Sequence, residues 1–276
     1  MLGYTILKND STSQWLTLVH GASASASIWK YQIEFFKKYY NIVILDFNGY
    51  TENDFNLNGS HIYSIEFIAK EVIELLDKEQ IKSSHFVGAS LGNLIIRQIL
   101  EEYPEMVNGV VMTSAILNIN FMFSMVLYAF LFLGRFVPHK YLYSVSVAVS
   151  FPMPCNKLTR ELFLGTKELF SKEMYRLWLR MAKENFALMH FFNLVGLRSE
   201  VLFINGNQDY MFLPFVKKFV KENDSAKLKI IEKSGHGVNI DKKDIYNKAV
   251  LTYLRRVESK RRVNQGVYES QVDYLK

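Results

Sequence analysis

Cysteine is almost absent: Cys155 is the single one among 276 residues. One thiol excludes an internal disulfide and offers no metal cluster, because such sites need several ligands at set spacing. A reducing compartment fits that usage. The N-terminus, MLGYTILKND, lacks the basic start, apolar run and small-residue cleavage site of a signal peptide, so retention in the cytoplasm is expected. Also missing are a glycine-rich phosphate loop, clustered Cys/His ligands and any alternation of aromatic with basic residues. These gaps argue against metal, nucleotide and nucleic-acid sites, and no cofactor is expected. No internal repeat and no low-complexity tract beyond ASASAS is found.

A long apolar run is lacking too. The greasiest stretch, NINFMFSMVLYAFLFLGRF at 118–136, is uninterrupted only from Phe121 to Leu133, with Ser124 and Tyr128 as polar relief. A spanning helix needs ~20 such residues. The stretch therefore predicts a lid or core helix and no integral membrane span. The net charge of +6 arises from 33 basic and 27 acidic residues, spread along the chain except for RRVESKRR at 255–262. That cluster predicts a solvated helix face; together with the greasy stretch it also raises weak peripheral membrane contact.

What the chain has in quantity is core material, 49% hydrophobic and 14% aromatic residues. Runs rich in Val and Ile recur as WLTLVHG, NIVILDF, SHFVGAS, GVVMTSA, EVLFING and KLKIIEKSG, the pattern of strands buried on both faces. Amphipathic helical patterns lie between them; in IEFIAKEVIELL apolar residues return at spacings of three and four. This alternation predicts an α/β fold with a doubly wound, mostly parallel sheet. Only helical or irregular patterns occupy 118–196, with FPMPC at 151–155 as a break. The expected organisation is a core from 1–117 and 197–276 with a helical cap inserted at 118–196.

Two GAS tripeptides stand out, at 21–23 and 88–90. A serine hydroxyl attacks a carbonyl only when a base removes its proton and donors receive the developing oxyanion. Gly88-Ala89-Ser90-Leu91-Gly92 fits G-x-S-x-G and sits between a strand-like SHFV and a helix-like GNLIIRQILEEY, the setting of a nucleophile elbow. The base is expected after the last strand, where GHGVN places His236. The orienting acid is expected after the preceding strand, where NGNQD places Asp209. Ala22, after strand WLTLV, and Leu91, after the serine, are assigned the oxyanion amides. Ser23, Ser25 and Ser27 sit on no elbow; Ser27 is expected to cap the helix that follows, with the others as turn formers.

These motifs resemble the cap-bearing members of the α/β-hydrolase superfamily, with His20, Gly21 and Trp29 meeting the HG-x7-W pattern. HGASASASIW, LDFNGYTEND, GASLG, NGNQD and SGHGVN follow in the family's order and cover nearly the whole chain. The resemblance implies Ser90 as nucleophile, His236 as base, Asp209 as acid, and an acyl-enzyme route for a small to medium apolar carboxylic ester. A serine on the elbow argues against haloalkane dehalogenases and epoxide hydrolases, whose pattern requires an aspartate there. The loop usually reading D-x-R-G-x-G-x-S departs here, with Asn48 in place of the arginine. Only YTILK precedes WLTLV as a strand, so the first strands are expected to be missing or abbreviated.

Selectivity is expected to reside in the cap. Phe121, Met125 and Phe130, with Ser23 and Trp29, are the candidate pocket residues; the same aromatic stripe is equally what would pack the cap onto the core. Carbon–carbon bond hydrolases, thioesterases, acyltransferases and slow-turnover small-ligand receptors share the triad, and the oligomeric state stays open.

Overall fold

The computed structural model describes residues 2–47, 64–119 and 121–273. Among these residues, seven strands form one sheet: β1 (Gly3–Leu7), β2 (Trp15–Val19), β3 (Asn41–Asp46), β4 (Ser84–Ala89), β5 (Val107–Thr113), β6 (Val201–Gly206) and β7 (Ala226–Ile231). Their order is β1-β3-β2-β4-β5-β6-β7. Every pairing is parallel except that of β1 with β3. The YTILK segment thus supplies a single antiparallel edge strand ahead of the parallel series. The loop containing Asn48 lies outside the described residues.

The central strands are buried almost throughout because both faces of the sheet are covered. Successive side chains part to opposite sides, as a period of two demands. Val43, Leu45, Phe86, Val110, Met112 and Phe203 enter one apolar cluster. Leu16, Leu18, Ile42, Ile44, Val111 and Ile204 enter the other. The first cluster is closed by α2 (Ile65–Lys78) and α3 (Gly92–Glu102). Ser64 caps α2 by accepting the Phe67 amide, and Ile68, Ala69, Val72, Ile73 and Leu76 form its sheet-facing side. The second cluster is closed by α1 (Lys30–Phe36) and the long C-terminal α11 (Lys243–Asp273), through Phe36, Tyr246, Val250 and Leu254.

Among the described residues, five α-helices lie between the neighbouring strands β5 and β6: α4 (Phe121–Leu133), α5 (His139–Ser150), α6 (Lys157–Gly165), α7 (Lys172–Glu184) and α8 (Phe186–Leu194). The FPMPC segment falls between α5 and α6. No helix among the described residues is long and apolar enough to cross a membrane. Helix α9 (Leu213–Glu222) joins β6 to β7, and the short α10 (Val238–Asp241) precedes α11.

The strand order positions the site. From β2 the chain goes to β3 on one side, then crosses to β4 on the other, so the segments after β2 and β4 meet at the point where the winding reverses. The pairing of Val19 with Gly88 sets residues 20–22 beside 89–91.

Candidate active site

Ser90 occupies the turn from β4 into α3 with a φ of 53°, a left-handed backbone that costs a non-glycine residue energy unless its surroundings enforce it. The enforcement is visible. Its amide donates to the Thr113 carbonyl at 2.9 Å, and its carbonyl accepts the Asn93 amide and the Asn93 Nδ2, at 3.1 and 2.9 Å. Asn93 Nδ2 also donates to the Thr113 carbonyl, so one buried side chain clamps the turn against β5. Gly92 permits the approach: a Cβ there would lie 2.5 Å from the His20 carbonyl oxygen.

His236 comes from the segment between β7 and α10. Its Nε2 lies 3.1 Å from Ser90 Oγ and its Nδ1 lies 3.0 Å from Asp209 Oδ2. An ionised carboxylate only accepts, so Nδ1 carries the proton and Nε2 presents a lone pair to the serine. Asp209 follows β6 and is 2% exposed; Asn205 Nδ2 donates to the same Oδ2 at 3.3 Å. The imidazole leans on the rings of Phe212 and Phe151, whose centroids are 5.0 and 6.0 Å away. Ser114 Oγ donates to the His236 carbonyl at 2.7 Å, fixing the backbone of that segment to the end of β5.

The β2 loop closes the opposite side. A Cβ on Gly21 would lie 2.9 Å from Ser90 Cβ and 3.4 Å from the Leu91 nitrogen, so the β2 loop passes close against the elbow at Gly21. Among the described residues neither the Ala22 nor the Leu91 amide donates a hydrogen bond to the protein. Two free N–H groups beside a hydroxyl are what a developing oxyanion requires. Fully buried His20 holds the loop: Nδ1 donates to the Gly21 carbonyl at 2.8 Å, and Nε2 accepts the Phe47 amide at 3.0 Å.

Over Ser90 lies a cavity of ≈ 170 Å³, lined from the core side by Ala22, Ser23 and Leu91 and from the helical insertion by Phe123, Leu127 and Phe130. Lys, Arg, Asp and Glu are absent from its described lining. Of the residues expected there, Ser23 and Phe130 line it. Phe121 and Met125 do not: they are 78% and 57% exposed on the outer side of α4. The helix is apolar around its full circumference, and residues 123, 126, 127 and 130 form the inward stripe that leaves 121 and 125 outside. Trp29 is likewise not a lining residue; the turn after Ser25 sends Ile28 to the cavity and Trp29 into the cluster with Phe36 and Ile42. Ser25, not Ser27, caps that turn, accepting the Ser27 amide at 3.3 Å.

The sequence alone does not mark Asn93, Ser114 or Phe212 as supports of the site, and His20 stands out in it only as a motif member. Asn93 lies three residues beyond the elbow serine, a spacing that could have flagged it; Ser114 carries no local signal. Among the described residues, no three His, Cys, Asp or Glu side chains converge as a metal site would require.

A sequence profile for the family described as alpha/beta hydrolase fold matches residues 14–243. The chain belongs to that family. Among curated proteins it is similar to RutD of Stutzerimonas stutzeri, provisionally named a carbamate hydrolase, at 33% identity over 36% of this chain and 37% of that one. It is also similar to the pimeloyl-acyl-carrier-protein methyl ester esterase of Wigglesworthia glossinidia brevipalpis, at 28% identity over 36% of each. The match thus spans little more than a third of these relatives' length. Among solved structures, the enol-lactonase from Burkholderia xenovorans LB400 superposes with a TM-score of 0.74 at 17% identity, covering 92% of this chain and 96% of that one. At that identity the likeness shows the α/β-hydrolase fold.

Proposed function

We propose that this protein is a serine hydrolase that cleaves a carboxylic ester of a small to medium apolar substrate through an acyl-enzyme intermediate. The observation that carries the reading is the 3.1 Å contact of His236 Nε2 with Ser90 Oγ, made on a strained turn beneath a cavity whose described lining holds no Lys, Arg, Asp or Glu. In this reading His236 takes the Ser90 proton as Oγ attacks the ester carbonyl, and the Ala22 and Leu91 amides hold the oxyanion. His236 then gives that proton to the departing alkoxide. Water, deprotonated by the same imidazole, releases the acid product. Asp209 keeps the proton on Nδ1 and stabilises the imidazolium that forms. Residues 118–196 act as the cap that shapes the acyl site.

The absence of charged lining residues favours a neutral acyl group, since an ionised one would be buried without a partner. One similar protein, named a methyl ester esterase, acts on an ester bond by name, which supports the same bond here. The test is turnover of p-nitrophenyl esters across acyl lengths. Sustained turnover is expected, with Ser90→Ala reducing kcat by ~10⁴-fold or more. A single stoichiometric burst followed by no turnover would instead assign a ligand-holding role.

A further inference from the structure

The inward stripe of α4 leaves an outward one. Phe121, Met125, Tyr128 and Phe132 recur at intervals of four, three and four, which places them on one helical face, and each is 49% to 78% exposed. The stripe runs on past the helix, because the Phe132 ring meets Phe136, itself 73% exposed, at 5.6 Å. On α5 a second exposed stripe of Tyr141, Val145 and Val149 is spaced by four. Val149 also lines the cavity over Ser90, so exposed apolar surface reaches the cavity wall. Soluble proteins seldom leave this much aromatic surface to water without a use for it.

Along the stretch of chain that carries these stripes the charge has one sign. No Asp or Glu occurs between Glu105 and Glu161, whereas Arg135, Lys140, Lys157 and Arg160 do. Arg135 stands exposed between Phe132 and Phe136, and the Lys183 ammonium lies 5.6 Å from the Tyr128 ring centre. Lys140 is paired with Glu168 and Lys157 with Glu161, and Arg160 donates to the Phe151 and Met153 carbonyls, so the cations offered by this face are Arg135 and Lys183. A helix of 13 residues is too short to cross a bilayer but long enough to lie within its surface. Tyrosine, phenylalanine and cations on one such face match the boundary between acyl chains and headgroups.

We infer that the outer face of α4 and α5 docks on an anionic lipid surface. A second copy of the chain fits less well, since apposing two such faces sets surfaces bearing Arg135 and Lys183 against others of the same sign. The basic run at 255–262 takes no part. Arg256 and Lys260 pair with Glu200, and Arg261 donates to the Val107 carbonyl at the start of β5, the end of the sheet remote from Ser90. The contact expected jointly from that run and the greasy stretch therefore falls to α4 and α5.

The test is co-sedimentation of the full chain with vesicles of phosphatidylcholine containing roughly a third phosphatidylglycerol, against vesicles of phosphatidylcholine alone. Binding is expected to the anionic vesicles and to weaken as salt is raised. The double variant Phe132→Glu, Phe136→Glu should bind at least ~10-fold less while its ester turnover in solution and its thermal melt match wild type, because both side chains point away from the cavity. Ser90→Ala should bind as wild type does, which separates docking from the chemistry. Absence of sedimentation with either vesicle, or undiminished binding by the double variant, would overturn the inference. A concentration-dependent dimer in analytical ultracentrifugation that the double variant abolishes would assign the face to self-association instead.

Discussion

The Thr159 amide on α6 donates to Asp241 Oδ1 at 3.2 Å, tying the helical insertion to the segment that carries His236. Asn156 Nδ2 donates to the other carboxylate oxygen at 3.0 Å, and Thr159 Oγ1 donates to the Gly237 carbonyl at 3.4 Å. Asp241 thus caps α6 from a different element, supplying the acceptor that a helix N-terminus seeks.

Replacement of that carboxylate is expected to loosen the insertion. Asp241→Ala should destabilise the fold by about 0.5–2 kcal/mol, the usual range for a lost N-cap. The pH dependence is more diagnostic. Burial raises the Asp241 carboxyl above its ordinary range, against the opposing hydrogen bonds from Asn156 and Thr159. A raised carboxyl favours the folded state while protonated, so its contribution declines as pH rises from the ordinary carboxylate value through the raised one. Denaturant melts from pH 4 to 7 should show wild type losing stability relative to Asp241→Asn as pH increases. A wild type that gains on Asp241→Asn as pH rises, or keeps a constant offset from it, would contradict the assignment.

Glu258 should behave with the opposite sign. Burial raises its carboxyl, but hydrogen bonds from His85 and Tyr40, at 3.2 and 2.9 Å, outweigh that and hold it below the ordinary range. Its stabilisation is present above the ordinary carboxylate value and is lost as pH falls through the depressed one. Glu258→Gln is expected to cost about 1–3 kcal/mol at neutral pH and to flatten the acid side of the stability profile. Equal acid sensitivity in variant and wild type would remove Glu258 as its cause.

The phenol of Tyr143 gives a third test, on the alkaline side. It donates to the Ser23 and Phe163 carbonyls, both at 3.1 Å, and burial pushes its pKa up to about 12. Stability is then expected to fall as pH rises from the ordinary tyrosine value of about 10 toward 12. Tyr143→Phe should retain the ring contact with Phe170 yet show a shallower alkaline decline. Equal slopes for the two proteins in melts from pH 9 to 12 would contradict it.

The sequence made the chain order of Ser90, Asp209 and His236 readable because each follows a strand, and strands buried on both faces announce themselves as short apolar runs. The strand and helix alternation was readable for the same reason. What it left hidden depends on direction and distance. Phe121 and Phe123 are indistinguishable in a helix that is apolar all round, yet one faces water and the other the cavity. Trp29 fits a motif spacing, but spacing does not tell which way a turn sends its side chain. Ser114 meets the His236 carbonyl across 122 residues and Asp241 meets Thr159 across 82, separations at which no local pattern operates.

Ala182 on α7 offers a test of whether the cavity sets the acyl group. It lines the cavity with a single methyl, so Ala182→Leu would place three further carbons inside a volume of ≈ 170 Å³. Overpacking a filled core costs stability, but extending into empty space does not, so the melt should stay close to wild type. The substrate should feel the change instead. Each methylene excluded from an apolar pocket is worth about 1–3 kcal/mol of discrimination, or 10–200-fold in kcat/KM. Short acyl esters should therefore be cleaved as before, while the longest accepted esters lose at least ~10-fold in kcat/KM. Serine reactivity toward a fluorophosphonate with a small alkyl group should be unaltered, since Ser90 and His236 are untouched. If kcat/KM fell equally for all acyl lengths, the variant would have disturbed the catalytic geometry, and the cavity could not be called the acyl site on this ground.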